Sequence, residues 1–168
     1  MSLKKTSDTV AISFDIDESA LNTFTQSQIN LTLDPLNNEV FVVLGVDLDV
    51  GAPSALPGTN TQSTMALTTT SKTAVPSLGD SQTLARVQSK IQAAGYADGG
   101  VGFMHTSPDT PTGMLDYIGI IATNNMFVQI QGANNSGPIS GAGRVWGYRA
   151  RADASVYGAL VQSEVLSA

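Results

Sequence analysis

The chain of 168 residues contains no cysteine and one histidine. Without cysteine, neither a disulfide framework nor a thiolate metal site can form, so stability must come from packing or association. A single histidine, His105, excludes a zinc or iron site built from several imidazoles. Residues 40–46 form the longest uncharged apolar run, which is far shorter than the roughly 20 residues that span a bilayer. No signal-like apolar region follows residues 1–5. We expect one soluble domain over residues 1–168, with no signal peptide and no transmembrane segment.

Catalytic motifs are also missing from the sequence. A Ser-His-Asp site would have to use His105, but no Gly-x-Ser-x-Gly turn is present to support it. The stretch GPISGAGR at residues 137–144 has glycines without the Gly-x-x-x-x-Gly-Lys-Ser/Thr spacing of a phosphate loop. We therefore predict that the chain is not an enzyme and has no catalytic or cofactor-binding residues.

Charge is scarce: 13% of the residues are charged, with a net charge of -6, whereas about 25% are charged in an average globular protein. Small and neutral polar residues take the surface positions that Lys and Glu usually occupy. Such a surface suits subunit contacts, because the centres of interfaces are depleted of charge. The alternative is a soluble monomer with a Thr- and Asn-rich β surface.

Short alternating runs separated by turn signals recur along the chain, which is typical of an all-β sandwich or barrel. Met126, Val128 and Ile130, for example, alternate with residues of the opposite face. Eight strands are predicted, at residues 9–16, 24–33, 39–50, 63–71, 100–105, 115–122, 125–132 and 143–152. Eight short strands with Gly- and Pro-rich loops favour an eight-stranded jelly-roll sandwich, preceded by an N-terminal arm at residues 1–8.

Two turns in this pattern predict β-hairpins. Asn124-Asn125 separates two apolar runs, and Asn tolerates the left-handed conformation that tight turns require. Residues 34–38, Asp-Pro-Leu-Asn-Asn, carry turn-forming residues between the second and third predicted strands.

Two segments fit a helix better than a strand. Residues 81–95, SQTLARVQSKIQAAG, place Leu84, Val87 and Ile91 at helical spacing and end at Gly95, which predicts a short helical insertion. Alternation within the same segment would also serve a strand.

Residues 153–168 predict a C-terminal helix or arm. Asp153 is placed to cap the helix, although Gly158 weakens it. An arm lying on a neighbouring subunit is the alternative. The predicted apolar face of the helix consists of Tyr157, Leu160, Val161 and Val165.

Two acidic pairs occur in strand-like stretches, SFDIDES and GVDLDV. Alternation places the apolar neighbours on one face and the carboxylates on the other. If the two strands lie close, the carboxylates repel one another unless a hard cation or an arginine sits among them. Calcium would be that cation, and two solvated strand faces are the alternative. The candidate metal ligands are Asp15, Asp17, Asp47 and Asp49.

The one basic cluster is GRVWGYRARAD. Alternation puts Arg144 on the face of Trp146 and Tyr148, with Arg149 and Arg151 on the opposite face. We interpret the three arginines as subunit-contact residues, with solvated strand charges as the alternative, because nucleic-acid binding usually needs a larger positive footprint.

Charge is distributed unevenly along the chain. Residues 1–50 contain two lysines and eight acids, whereas residues 144–151 contain three arginines and no acid. We therefore predict that Arg149 or Arg151 contacts an acidic side chain or a backbone carbonyl of a neighbouring chain. Pairing within one subunit is the alternative.

Three stretches, NEVFVVLGVDLDV, MLDYIGIIATNNMFVQIQGANN and RVWGYRARADASVYGALVQSE, together resemble single-jelly-roll capsid proteins of small icosahedral viruses. The resemblance implies a virion protein, assembled in the host cytoplasm, that forms a closed shell with copies of itself and with other virion proteins, sometimes with calcium between subunits. The chain lacks the basic N-terminal arm of many RNA-virus relatives, which argues against direct nucleic-acid binding. The alternative function is a lectin-like carbohydrate-binding β-sandwich that uses Trp146, Asn134 and Asn135.

Overall fold

The structure is a computed structural model, and it describes residues 3–95, 103–106 and 115–166. These residues form ten strands, one 3-10 turn (Pro35–Asn37) and one helix. The strands and the helix are β1 Leu3–Lys5, β2 Val10–Asp17, β3 Thr25–Asn30, β4 Glu39–Val50, β5 Thr61–Thr68, β6 Thr83–Gln92, β7 Phe103–Thr106, β8 Gly119–Ile121, β9 Asn125–Ala133, β10 Ser140–Ala152 and α1 Ala154–Leu166.

The strands form two antiparallel sheets. The first sheet has the order β2-β10-β4-β8, and β1 also pairs with β10. The second has the order β3-β9-β5-β6, extended by β7. Chain connections cross repeatedly between the two sheets, and this strand order is that of a jelly roll. The predicted all-β sandwich is confirmed.

The core lies between the sheets and is made by the inward side chains of both. Phe41 from the first sheet and Met65 and Ile130 from the second are completely buried. Each such side chain contributes roughly 1.5–3 kcal/mol through its removal from water. Strand alternation therefore decides which residues face inward.

Helix α1 covers part of the outer face of the first sheet. Its residues Tyr157, Leu160 and Val161 pack on a second apolar cluster that includes Val40 and Val42. The predicted helix and its cap are confirmed, since Oδ1 of Asp153 accepts a hydrogen bond of 2.9 Å from the backbone N of Val156. The prediction for Val165 is wrong, because this residue lies one turn beyond the contact and is exposed.

Both predicted hairpins are wrong. Strand β8 pairs with β4, whereas β9 pairs with β3 and β5, so the Asn124-Asn125 turn connects different sheets. The turn at residues 34–38 likewise connects β3 of the second sheet to β4 of the first. The physical reason is that the two strands joined by each turn belong to different sheets, and their apolar faces cover the core from opposite sides, so they cannot pair with each other. The Asn124 side chain then accepts a hydrogen bond of 2.7 Å from the backbone N of Leu33.

The predicted helical insertion at residues 81–95 is also wrong. Residues 83–92 form β6, which pairs with β5 and β7. Ala85, Val87 and Ser89 are buried at alternate positions, so the strand period overrides the helical spacing. Pairing with β5 along most of the strand and with β7 at residues 89–92 satisfies backbone donors and acceptors that a helix would otherwise have satisfied.

The boundaries of the other strands lie close to the predicted ones. Strand β4 has the predicted limits, whereas β8 starts only at Gly119. The predicted N-terminal arm at residues 1–8 contains β1, and residues 100–102 of the fifth predicted strand lie outside the described residues. Within residues 3–95, 103–106 and 115–166, no helix is long and apolar enough to cross a membrane.

Candidate functional site

The outer face of the first sheet is divided into two halves with different side chains. We call the part under α1 the helix-covered half; its residues are Val40, Val42, Ala150 and Ala152. The remainder, which we call the open half, carries Asp15, Asp17, Asp47, Asp49, Arg144 and Trp146. Strands β4 and β10 run through both halves. Their pairing shifts between Trp146 and Gly147, opposite Gly45 and Val43, so that Leu44 is an extra residue on β4.

Strand β10 lies between the two acidic strands in the open half. Two cross-strand rows result, Asp15–Ala142–Asp49 and Ser13–Arg144–Asp47. The aspartates are exposed while their neighbours Ile16 and Leu48 are buried, as alternation predicts. The fold therefore puts an arginine on the strand between the acidic pairs, which is one of the two arrangements expected from the sequence.

The predicted calcium ligands share a face without forming a cluster within one chain. Asp15 and Asp49 are separated by the width of β10, which corresponds to two strand spacings of about 4.8 Å. In residues 3–95, 103–106 and 115–166, no three His, Cys, Asp or Glu side chains lie together as a metal site would require. Calcium at Asp15, Asp17, Asp47 and Asp49 stays a prediction.

Arg144 and Trp146 form one side of a hollow in the open half. Nε of Arg144 donates a hydrogen bond of 3.1 Å to Oγ of Ser13, and the guanidinium carbon lies 6.0 Å from the centre of the Trp146 ring. The Trp146 side chain remains 36% exposed. The hollow has a volume of about 270 Å³, and Asp47 and Asp49 line its other side.

Arg149 and Arg151 lie on the opposite face of β10 and reach the connection between β3 and β4. Nη2 of Arg149 donates to the backbone O of Leu31 at 2.8 Å and to Oγ1 of Thr32 at 3.1 Å. Its Nε lies 4.0 Å from a carboxylate oxygen of Glu39. The predicted separation of these arginines from Arg144 is confirmed. Within the subunit they already have partners, and contact with a neighbouring chain stays a prediction.

Arg151 makes a single, longer hydrogen bond to the same connection between β3 and β4. Its Nη2 donates to Oδ1 of Asn37 at 3.2 Å, and the side chain is exposed. We call residues 31–38 the β3–β4 corner. Arg149 holds the start of this corner, where Thr32 has the left-handed φ of 53°, and Arg151 contacts its end.

Two buried carboxylates were missed by the sequence analysis, and the first is Glu18. Its two oxygens accept hydrogen bonds from the backbone N atoms of Gly132 at 2.6 Å and Ile139 at 2.8 Å. Glu18 thereby joins the end of β2 to both ends of the β9–β10 connection. Its position continues the inward series of Phe14 and Ile16, which is the signal that could have found it.

The second is Glu164 of α1. It accepts hydrogen bonds from the backbone N atoms of Ala122 at 2.9 Å and Thr123 at 3.1 Å, and from the Thr123 hydroxyl at 2.6 Å. The helix is thus fixed to the β8–β9 connection by a buried carboxylate. Glu164 follows Leu160 and Val161 on the inner stripe of the helix, where a charged residue is unexpected.

The other residues that the sequence suggested for sugar binding or catalysis, Asn134, Asn135 and His105, do not lie in the hollow of the open half. Asn135 is buried: its side chain accepts from the backbone N of Ser54 at 2.8 Å and donates to the backbone O of Gln62 at 2.9 Å. Asn134 adopts a left-handed φ of 58° in the β9–β10 connection. Neither residue lines the hollow beside Trp146. His105 is exposed on β7, opposite Lys90.

The outer face of the second sheet is covered in part by residues 69–82. The backbone N of Lys72 donates to Gln26, and Nε of Arg86 donates to the backbone O of Pro76 at 3.1 Å. Burial lowers the pKa of Arg86. The Lys72 ammonium lies 2.9 Å from Asp80 and, chiefly by hydrogen bonding, lowers the pKa of Asp80 below its usual range. These contacts keep the connection close to the sheet.

Comparison with known proteins adds little to this description. No family model matches the chain, and no curated protein matches it. Among solved structures, a chain titled Desmodium yellow mottle tymovirus matches with 10% identity and a TM-score of 0.29, over 88% of this chain and 91% of that chain. Such a likeness supports no argument about function, and the jelly-roll assignment comes from the strand order of the chain itself.

Proposed function

We propose that the chain is a self-assembling structural protein, the subunit of an icosahedral viral shell, with copies of itself as its main partner and the virion as its location. The observation that carries this proposal is its surface. Large apolar side chains stand exposed on connections and at the helix end, on a chain in which only 13% of residues are charged. Single exposed apolar residues are common on monomers, and only contiguous apolar patches mark contact sites, so the proposal depends on the combination of these side chains with the scarcity of charge, which suits the centre of a subunit contact.

Leu36 is the clearest of these side chains. It is 93% exposed at the tip of the β3–β4 corner, and it packs against almost nothing among the described residues. Beside it, Asp34, Asn37 and Arg151 border a shallow polar hollow of about 100 Å³. An apolar side chain next to polar groups resembles the composition of a subunit contact, in which an apolar centre is bordered by a polar rim.

The jelly roll supports the proposal as a fold. Jelly rolls are found in viral capsid and lectin domains and in cupins. Because one fold serves many functions, the strand order limits the choice without making it. Exposed apolar side chains such as Leu36, on a surface with few charges, are what favours a shell subunit over a domain that works alone.

The direct test is the size of the purified chain in solution. Size-exclusion chromatography with light scattering, followed by negative-stain microscopy, is expected to show large symmetric particles. A chain that stays monomeric or dimeric at every concentration, salt level and calcium level tested would contradict the proposal. Including calcium tests the predicted role of the open-half aspartates between subunits.

Two substitutions at the β3–β4 corner test where the contact lies. Leu36→Asp is expected to prevent particle formation while leaving the free energy of unfolding within about 0.5 kcal/mol, because the side chain is exposed in the subunit. Leu36→Met is the matched control, since it keeps an apolar side chain, and it is expected to assemble normally. Normal particles from Leu36→Asp would place the contact elsewhere.

The arginines give a graded version of this test. Arg151→Ala is expected to weaken assembly with little effect on folding, whereas Arg149→Ala should affect both, because Arg149 also holds Leu31 and Thr32. Peripheral ion pairs are screened by salt and buried ones are not, so particles held at this rim should loosen in high salt. If a variant with both Arg149→Ala and Arg151→Ala assembles normally and tolerates salt like wild type, these arginines contact only their own chain.

A further inference from the structure

We propose that the open half of the first sheet binds a neutral saccharide in the hollow between Trp146, Arg144 and the pair Asp47 and Asp49. This inference goes beyond shell assembly and does not depend on it, because every residue involved belongs to one chain.

Trp146 supplies the apolar surface of the site. Its indole is partly exposed in the hollow, and a Cβ built at Gly45 on the neighbouring strand would lie 3.9 Å from Cε3 of the ring. The ring therefore lies beside Gly45 at a distance that is an ordinary van der Waals contact. An exposed indole offers a broad apolar face and one N–H donor. The C–H face of a pyranose ring can pack on such a surface.

The polar side of the hollow complements sugar hydroxyls. Carboxylates accept hydrogen bonds through both oxygens, and a guanidinium donates from a planar fork. The bond from Nε of Arg144 to Ser13 fixes the direction of that fork. Within the described part of the chain, Arg144 donates only through this nitrogen, so its Nη groups are available to a ligand. Asp47 and Asp49, two residues apart on β4, point into the same hollow.

Charge selects among sugars. The open half carries four aspartates and one arginine, so its potential is negative and disfavours phosphate or sialic acid. The volume of about 270 Å³ is below the range typical of drug-sized ligands, and it suits one ring, such as a monosaccharide or the terminal residue of a glycan. A neutral hexose fits both limits.

The chain contains a single tryptophan, so its intrinsic fluorescence reports on the proposed site directly. The full chain, in calcium-free buffer and both before and after any particles are dissociated, is titrated with the methyl glycosides of mannose, galactose, glucose and N-acetylglucosamine, up to tens of millimolar. At least one is expected to change the emission of Trp146 saturably and to give a matching calorimetric Kd. The methyl glycoside of sialic acid should bind at least about tenfold more weakly, a difference of about 1.4 kcal/mol.

Matched variants distinguish sugar binding in this hollow from nonspecific effects of losing a charge or an aromatic side chain. Asp49→Asn is expected to weaken binding roughly tenfold, because it replaces a charged acceptor by a neutral one, whereas Asp8→Asn, an exposed acid on the β1–β2 connection, should have no effect. Trp146→Ala should abolish the calorimetric signal, and Tyr117→Ala, another exposed aromatic, should retain it. Folding of each variant is checked by far-UV circular dichroism.

Three results would overturn the inference: no response to any neutral glycoside, equal weakening by Asp8→Asn and Asp49→Asn, or preferential binding of the sialic acid glycoside. These outcomes are independent of particle formation. A monomeric chain that binds a hexose would remove the shell proposal and keep this one, and particles that bind no sugar would do the reverse.

Discussion

The helix-covered and open halves of the first sheet are built on the same two strands, yet they differ in everything that faces outward. On β4, the outward residues Val40 and Val42 are apolar and buried beneath α1, whereas Asp47 and Asp49 are charged and exposed. The pairing with β10 shifts at the boundary, where Leu44 is an extra residue on β4, so even-numbered residues face outward before it and odd-numbered residues after it. This irregularity puts valines under the helix and aspartates on the open half, and it decides which half needs a cover and which half is available to a ligand.

Energetics explain why the helix covers the apolar half of the sheet. Burying a valine side chain contributes roughly 1.5–3 kcal/mol, so covering Val40 and Val42 stabilises the docked helix. Burying Asp47 or Asp49 without a partner would cost more than this gain. The helix can thus cover only the apolar half, and the acidic half remains exposed.

The largest expected effect on stability comes from placing an acidic residue in the helix-covered half of β4, compared with placing an apolar residue in its open half. Val42→Asp buries an unpaired carboxylate beneath α1 and is expected to lower the free energy of unfolding by more than about 4 kcal/mol. Asp47→Val on the same strand should change it by no more than about 0.5 kcal/mol. Urea denaturation of both variants measures the difference. Similar values for the two would mean that α1 does not cover Val42 in solution.

Removing the Glu164 anchor should have the second largest effect. Glu164→Ala leaves the backbone N–H groups of Ala122 and Thr123 buried without an acceptor, which costs about 1–3 kcal/mol for each group. We expect a loss of about 2–4 kcal/mol by urea denaturation.

Two controls sharpen this measurement. Glu164→Gln keeps one acceptor oxygen and should fall between wild type and Glu164→Ala, while the exposed Gln162→Ala should be nearly neutral. If Gln162→Ala costs as much as Glu164→Ala, the loss is one of helix formation and not of the anchor.

Much of the fold follows from the local pattern, and the errors share one cause. Alternation located strands such as β4 and β9 and gave the inward residues of β9 and of the end of β4 correctly, because burial of one face is encoded locally, but it gave no sign of the irregularity at Leu44 that reverses the inward positions of β4. It placed the turns at residues 34–38 and 124–125 but not their partners, since a turn between sheets and a turn within a sheet use the same residues. Residues 83–92 fit both periods, and only pairing with β5 and β7 decides between them.

The candidate site was predicted in its parts but not in its assembly. Alternation predicted that Asp15 and Asp47 face outward and that Arg144 shares a face with Trp146, whereas the insertion of β10 between β2 and β4 depends on the whole topology. Long-range pairing of this kind leaves no local signal. Glu18 and Glu164 were missed because their partners are backbone N–H groups of distant connections, and no residue type marks those groups.

The boundary between the halves can be tested with two glycines. A Cβ at Gly147 would clash with the carbonyl oxygen of Val42 and the ring of Phe41, whereas a Cβ at Gly45 would meet only the indole of Trp146 at 3.9 Å. Gly147→Ala is therefore expected to cost about 1–3 kcal/mol, the usual range for overpacking. Gly45→Ala should be tolerated. Thermal unfolding of the pair checks this, and equal stability would show that the strands separate easily at the irregularity.

The smallest expected effect concerns the first turn of α1 and depends on pH. The backbone N–H of Val156, followed by the hydroxyl of Ser155, donates to Asp153 and holds its pKa below the usual value of 3.8. Because the folded-state pKa is lowered, the stabilisation by this carboxylate is present above the unfolded-state pKa and is lost as the pH falls through the folded-state value.

Asp153→Asn isolates this contribution, since asparagine also caps helices but does not titrate. The difference in free energy of unfolding between wild type and variant is expected to stay constant from neutral pH down to about 5. As the pH drops below 3.8, wild type should lose stability relative to the variant. Other carboxylates titrate in both proteins and cancel in this difference. Urea denaturation across the pH series provides the measurement, and a difference that stays constant throughout would mean that the cap is not formed. In that case the helix-covered half would be held by Glu164 and the apolar contacts alone.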